Sequence, residues 1–197
     1  MEKLGNCIKE NLPKWKKIAE DKFCVNIGNT DILPFPRCIE NIIYEMEREA
    51  GYKLGFPKNF LFRAVGYAMA YTLEFMGINK AGNSTIYYSR SPIYAVISKK
   101  DMIHSGLHEL GHIVHFKMLK NKEGKERTNM LNIPHYIVEG FAEYVARDIM
   151  QNMNLKSNYN FLEDVLLNPS LLKFNRELAK KEISNIQDVK NYVLTFY

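Results

Sequence analysis

The sequence predicts a helix-rich α+β protein with one small mixed sheet. Three observations predict it. Most of the chain places apolar residues at helical spacing, whereas 83–98 is rich in β-branched and aromatic residues. The 197 residues, 46% of them hydrophobic, suffice for one core and are too few for two full domains. We read 1–197 as a single domain with a helical N-terminal part (1–76), a central part that carries the chemistry (77–153) and a helical C-terminal part (154–197).

The elements follow in order. Lys3 to Glu20 reads as a helix, and Lys22 to Ile27 as a short strand ended by Gly28 and Asn29. Pro36 suits the first turn of a helix running to about Ala50, because its missing amide proton costs nothing there. Gly51 and Gly55 break the chain, and Phe60 to Met76 forms a strongly apolar helix, expected in the core and stopped at Gly77. Asn83 to Ser98 reads as a β-hairpin, with Thr85–Ser89 and Ile93–Ser98 flanking a turn at Arg90-Ser91-Pro92. Asp101 can cap a helix over about Met102 to Lys122, with Gly124 just beyond it. A second helix opens near Pro134 and runs to about Met153, and 161–197 divides into two or three short helices at Pro169-Ser170 and Ser184-Asn185.

Composition narrows the functional classes. The net charge of +5 is carried by short, scattered groups such as Lys14, Lys16 and Lys17, each mixed with acids or apolar residues, so no nucleic-acid partner is expected. Cys7, Cys24 and Cys38 are widely spaced and form no CxxC pair, which argues for reduced thiols rather than disulfides or a thiolate metal site. The N-terminal stretch MEKLGNCIKENLPKWKKIAE lacks the uninterrupted apolar run of a secretory signal, and no stretch approaches the roughly 20 apolar residues of a membrane span. These features predict a cytoplasmic protein without a membrane partner. They do not assign an oligomeric state.

The chemistry concentrates in His108-Glu109-Leu110-Gly111-His112, an HExxH motif. Residues four apart on a helix share one face, so both imidazoles reach a single metal ion, while Glu109 projects from an adjacent line toward a metal-bound water. Ile103, Leu107, Leu110 and Val114 form a stripe that packs; His104, His108, His112 and His115 form the neighbouring stripe that can line a cleft. His104 and His115 lie a turn to either side of the pair and read as cleft lining or core. A catalytic zinc commonly has three protein ligands and one open position, which calls for a third ligand. Downstream, Glu139 and Glu143 stand one turn apart on an otherwise apolar helix. Two such carboxylates are costly unless neutralised, and a metal on Glu139 with a ligand imidazole bonded to Glu143 would neutralise both.

HELGH followed by EGFAEY resembles the gluzincin metallopeptidases, the thermolysin-like and aminopeptidase-like clan, over roughly Thr85 to Arg147. The resemblance implies a zincin-like fold, Zn²⁺ as cofactor, ligands His108, His112 and Glu139, Glu109 as base and proton shuttle, and Glu143 as the carboxylate that orients a ligand histidine. It also implies an edge strand on the cleft rim to which an extended peptide adds. By order along the chain that strand is Thr85–Ser89, with Ile86 and Tyr88 as its contacts and Ile93–Ser98 as its inner partner. His135 and Tyr144 are candidate stabilisers of the oxyanion.

The pattern also departs from the clan. Twenty-six residues separate His112 from Glu139, more than the roughly twenty usual in thermolysin-like enzymes, so the helix-to-helix connection is longer. That spacing, and His115 after HELGH, are similar to the phage-immunity and radiation-response regulator peptidases, which would make the substrate a repressor protein. Met118 stands where a metzincin has its third histidine, and no cysteine-containing segment matches a deformylase. The expected function is a zinc-dependent peptidase acting on peptides or one protein partner; a metal-stabilised, non-catalytic binding module is the alternative that the intact Glu109 argues against.

Overall fold

The computed structural model describes residues 3–37, 58–76, 79–82, 84–123, 133–155 and 169–196. Helix α1, Lys3–Phe23, buries Leu4, Ile8, Leu12, Trp15, Ala19 and Phe23, the period that one helical stripe requires. It runs through the first two residues of the strand expected at Lys22–Ile27. Cys24 ends it in the left-handed region at φ 49°. Beyond it, Val25 and Ile27 are buried in alternation, yet their backbone is anchored to the helix rather than to a strand, with the Ile27 amide donating to Glu20 Oε1 at 2.9 Å. Alternating burial here marks an extended segment laid over the core. The strand, β1, comes later at Asp31–Pro34 and leads into a 3-10 turn at Phe35–Arg37. The helix expected from Pro36 to Ala50 lies outside the described residues beyond Arg37.

Helix α2 spans Lys58–Phe75, close to the expected boundaries, and its described side chains divide between a buried and an exposed set. Ala70 packs on Phe35 and Tyr87 in a small separate cluster, whereas Tyr71, Phe75 and Met76 are exposed, Phe75 at 77%. Apolar composition without a clean stripe does not say which face finds a partner.

Among the described residues the sheet is three-stranded and mixed, in the order β1-β3-β2, where β2 is Lys80–Ala81 and β3 is Thr85–Tyr88. β3 is central: it pairs parallel with β1, Ile32 opposite Ile86, and antiparallel with β2, Ala81 opposite Ile86. Ile86 and Tyr88 point into the main core, and Tyr87 turns to the cluster beneath α2, as the two-residue period of a strand demands. The hairpin therefore does not form. Pro92 sets the first position of a 3-10 turn, Pro92–Ala95, which Ser91 caps by accepting the Ile93 amide, and the apolar Ile93 and Val96 face solvent, Val96 at 83% exposure.

Helix α3, Lys99–Glu123, begins three residues earlier than expected. Ser98 is its cap: Ser98 Oγ accepts the Asp101 amide at 3.1 Å, while the Ser98 amide donates to Asp101 Oδ2 at 3.3 Å, a reciprocal pair that satisfies two otherwise orphan donors. Helix α4, His135–Asn152, follows Pro134 as expected. Helices α5, Pro169–Lys180, and α6, Ile186–Leu194, start at the expected breaks, α6 with Asn185 Oδ1 accepting the Asp188 amide at 2.9 Å. α1, α3, α4, α5 and α6 share the main core, joined by edge contacts of Phe141 with Phe23 (5.9 Å between ring centroids) and Phe174 (6.4 Å). Cys7 and Cys24 are free thiols. Among the described residues no helix is long and apolar enough to cross a membrane.

Candidate metal centre

The site is made where α3 crosses α4. Gly111 sits at the crossing: a Cβ there would fall 2.5 Å from the carbonyl oxygen of Ala142 and 2.7 Å from its Cα, so only glycine allows this approach. Gly140 plays the same part on the other side of α4, where a Cβ would meet Phe174 Cβ at 2.5 Å. The glycines inside HELGH and EGFAEY are thus packing residues: Gly111 brings the His helix onto the Glu helix, and Gly140 brings the Glu helix onto α5.

His108, His112 and Glu139 face one another across this crossing. One ligand atom from each lies within 4.8 Å of the others, and the group can hold a metal ion. Glu139 Oε2 is 3.2 Å from His108 Nε2 and 3.6 Å from His112 Nε2. Glu143, one turn further along α4, is 3% exposed, and its Oε2 lies 3.2 Å from His108 Nδ1. With Nδ1–H donated to Glu143, Nε2 is the nitrogen left to face Glu139, and a bound metal would take the place of the proton between them.

The electrostatics follow from this crowding. Burial by itself favours neutral His108, but its hydrogen bonds to Glu139 and Glu143 and the charge of Glu109 outweigh that and push its pKa up to about 10. Burial likewise opposes ionisation of Glu139, and its bonds to His108 and His112 reverse the balance, holding the carboxyl well below the usual range. Glu109 is different. It is buried and makes no part of the ligand trio, and burial raises its pKa, with Glu139 adding to the rise and His112, His108 and Lys80 opposing it.

The trio opens onto a cleft lined by Asn79, Lys80, Ala81, Ser105, Glu109, Phe116, His135 and Val138 besides its own three residues. Several of these the motif reading did not single out. Ser105 and Phe116 stand four residues from Glu109 and His112 and were legible from helical spacing; the two-residue β2 left no such signal. Asn79 ties the cleft wall to α3: its Nδ2 donates to Ser105 Oγ at 2.6 Å and to Tyr94 Oη at 2.8 Å, and its Oδ1 accepts the Ser89 amide at 2.7 Å.

The remaining sequence candidates separate. His135, 81% exposed at the start of α4, lines the cleft with Nε2 4.0 Å from Glu139 Oε1. Tyr144 does not line it; five residues past Glu139 it has rotated away and packs on Phe174, 6.2 Å between ring centroids. Ile86 and Tyr88 are buried on the central strand, so they offer no edge; the strand on the cleft wall is β2. His104 reaches Glu143 Oε1 at 2.9 Å, and His115 is wholly buried against Phe141, with burial carrying its pKa down to about 3. No protein-family profile, curated protein or solved structure matches this chain.

Proposed function

We propose that this chain is a zinc-dependent peptidase. The observation that carries the reading is the buried Glu109 carboxyl, which shares the cleft with His108, His112 and Glu139 but stands outside that trio. Two imidazoles and a carboxylate are the donor set of a catalytic zinc. Ligand atoms bonded to one tetrahedral zinc at about 2.0–2.1 Å lie roughly 3.3 Å apart. The 3.2 and 3.6 Å separations from Glu139 Oε2 to the imidazoles suit that ion. A bound Zn²⁺ would polarise the scissile carbonyl and acidify a water on the open side of the trio.

The chain's own residues do the rest. Glu109 accepts a proton from the attacking water as the new C–O bond forms and delivers it to the amine nitrogen as the C–N bond breaks, a role suited to a carboxyl whose pKa lies above its usual range. His135 lines the cleft and is a candidate to donate to the developing oxyanion. The outer side of β2, which carries no further strand among the described residues, offers main-chain groups to an extended peptide. Digestion of a peptide library tests the proposal. Cleavage should stop with a chelator, return with zinc, and fall at least about 100-fold in Glu109→Gln while bound zinc is retained; chelator-insensitive cleavage, or full turnover by Glu109→Gln, would end it.

A further inference from the structure

Glu143 is held by more than the ligand it addresses. Its Oε1 accepts from His104 Nε2 at 2.9 Å and from Arg147 Nε at 2.8 Å, while Oε2 faces His108 Nδ1 at 3.2 Å. The two partners come from opposite sides. His104 lies on α3 one turn before His108, and Arg147 on α4 one turn after Glu143, so the bracket spans the same two helices that supply the metal ligands.

We propose that His104 and Arg147 are positioning residues for the metal centre, pinning Glu143 Oε1 from both helices so that Oε2 stays on His108 Nδ1. The inference rests on the reading of His108, His112 and Glu139 as a metal site. A buried carboxylate with one bonded oxygen can turn about its last side-chain bond and exchange its oxygens between histidines; with Oε1 fixed by two donors, that turn breaks two bonds. Arg147 also supplies the cation that a carboxylate only 3% exposed requires. His108 is then restricted to the tautomer that donates from Nδ1 and presents Nε2 beside Glu139.

Zinc affinity measured by competition with a chromophoric chelator tests this without any substrate. Arg147→Met and His104→Leu should each weaken zinc binding by about 10- to 100-fold, and Arg147→Lys should recover part of the loss. In a Glu143→Gln background the Arg147→Met effect should largely vanish, because the bracket acts only through that carboxylate. A general destabilisation would persist in that background and would show in the melting of the metal-free proteins. Unchanged affinity in both single variants, or an undiminished Arg147→Met effect in Glu143→Gln, would overturn the inference. Zinc bound without peptide hydrolysis would sink the peptidase proposal and leave this one standing; hydrolysis with unaltered affinities in the variants would do the reverse.

Discussion

At the scale of single residues, burial and neighbouring charges set the protonation of Glu139, Glu109 and His115 apart. Glu139 is a ligand candidate because two imidazoles hold it ionised; Glu139→Ala should weaken zinc binding by more than about 100-fold, read by the same chelator competition. Burial raises the pKa of Glu109, which suits the proton-accepting role proposed for it. His115 supplies a pH test of the fold itself. Its folded pKa is about 3 against an ordinary 6.5. Below pH 6.5 the unfolded chain takes up a proton that the folded chain refuses, so stability is full above that pH and declines as pH falls toward 3. Metal-free wild type should lose roughly 2 kcal/mol more than His115→Leu between pH 7 and pH 5 in urea unfolding. Equal losses in the two proteins would show that His115 is not held neutral.

At the scale of elements, the contact between α3 and α4 decides whether the ligands meet. Gly111→Ala should cost about 1–3 kcal/mol and lower zinc affinity with it, since the Ala142 backbone cannot move aside. Gly82→Ala, where the nearest atom to a new Cβ is 3.5 Å away, should stay within about 0.5 kcal/mol of wild type. If both substitutions behave alike, close helix approach is not what assembles the site. The site helices were legible in the sequence because helical spacing of His108 and His112, and of Glu139 and Glu143, projects directly onto a face. The strands were not. Ile93 to Ser98 has strand-like composition, but Pro92 and the Ser91 cap turn it into a 3-10 segment, and β3 finds its neighbours in Asp31–Pro34 and in two residues, Lys80 and Ala81, that carry no local signal. The reading of Thr85–Ser89 as an edge failed for that reason: strand order is a long-range property.

At the scale of the whole molecule, one cation would link α3 and α4, and through them α1 and α5, which pack on the same core. Zinc that binds only the folded state should therefore stabilise it, by about 2.7 kcal/mol at a hundredfold excess over Kd, or roughly 5–10 °C in Tm for a chain of this size. Glu139→Ala should lose that increment; a zinc-induced rise that survives it would place the ion elsewhere. The apolar length of α2 does not by itself say which residues are covered, because burial depends on what lies opposite: Ala70 meets Phe35 and Tyr87, while Tyr71 and Phe75 are exposed. The central claim, that two imidazoles from one helix and a carboxylate from the next share one ion with a side left open, is tested most directly by anomalous diffraction at the zinc edge from zinc-loaded crystals. The account predicts a single peak within bonding distance of His108 Nε2, His112 Nε2 and Glu139 Oε2, with its remaining side facing the cleft. A peak away from Glu139, or a fourth protein side chain on the ion, would contradict it.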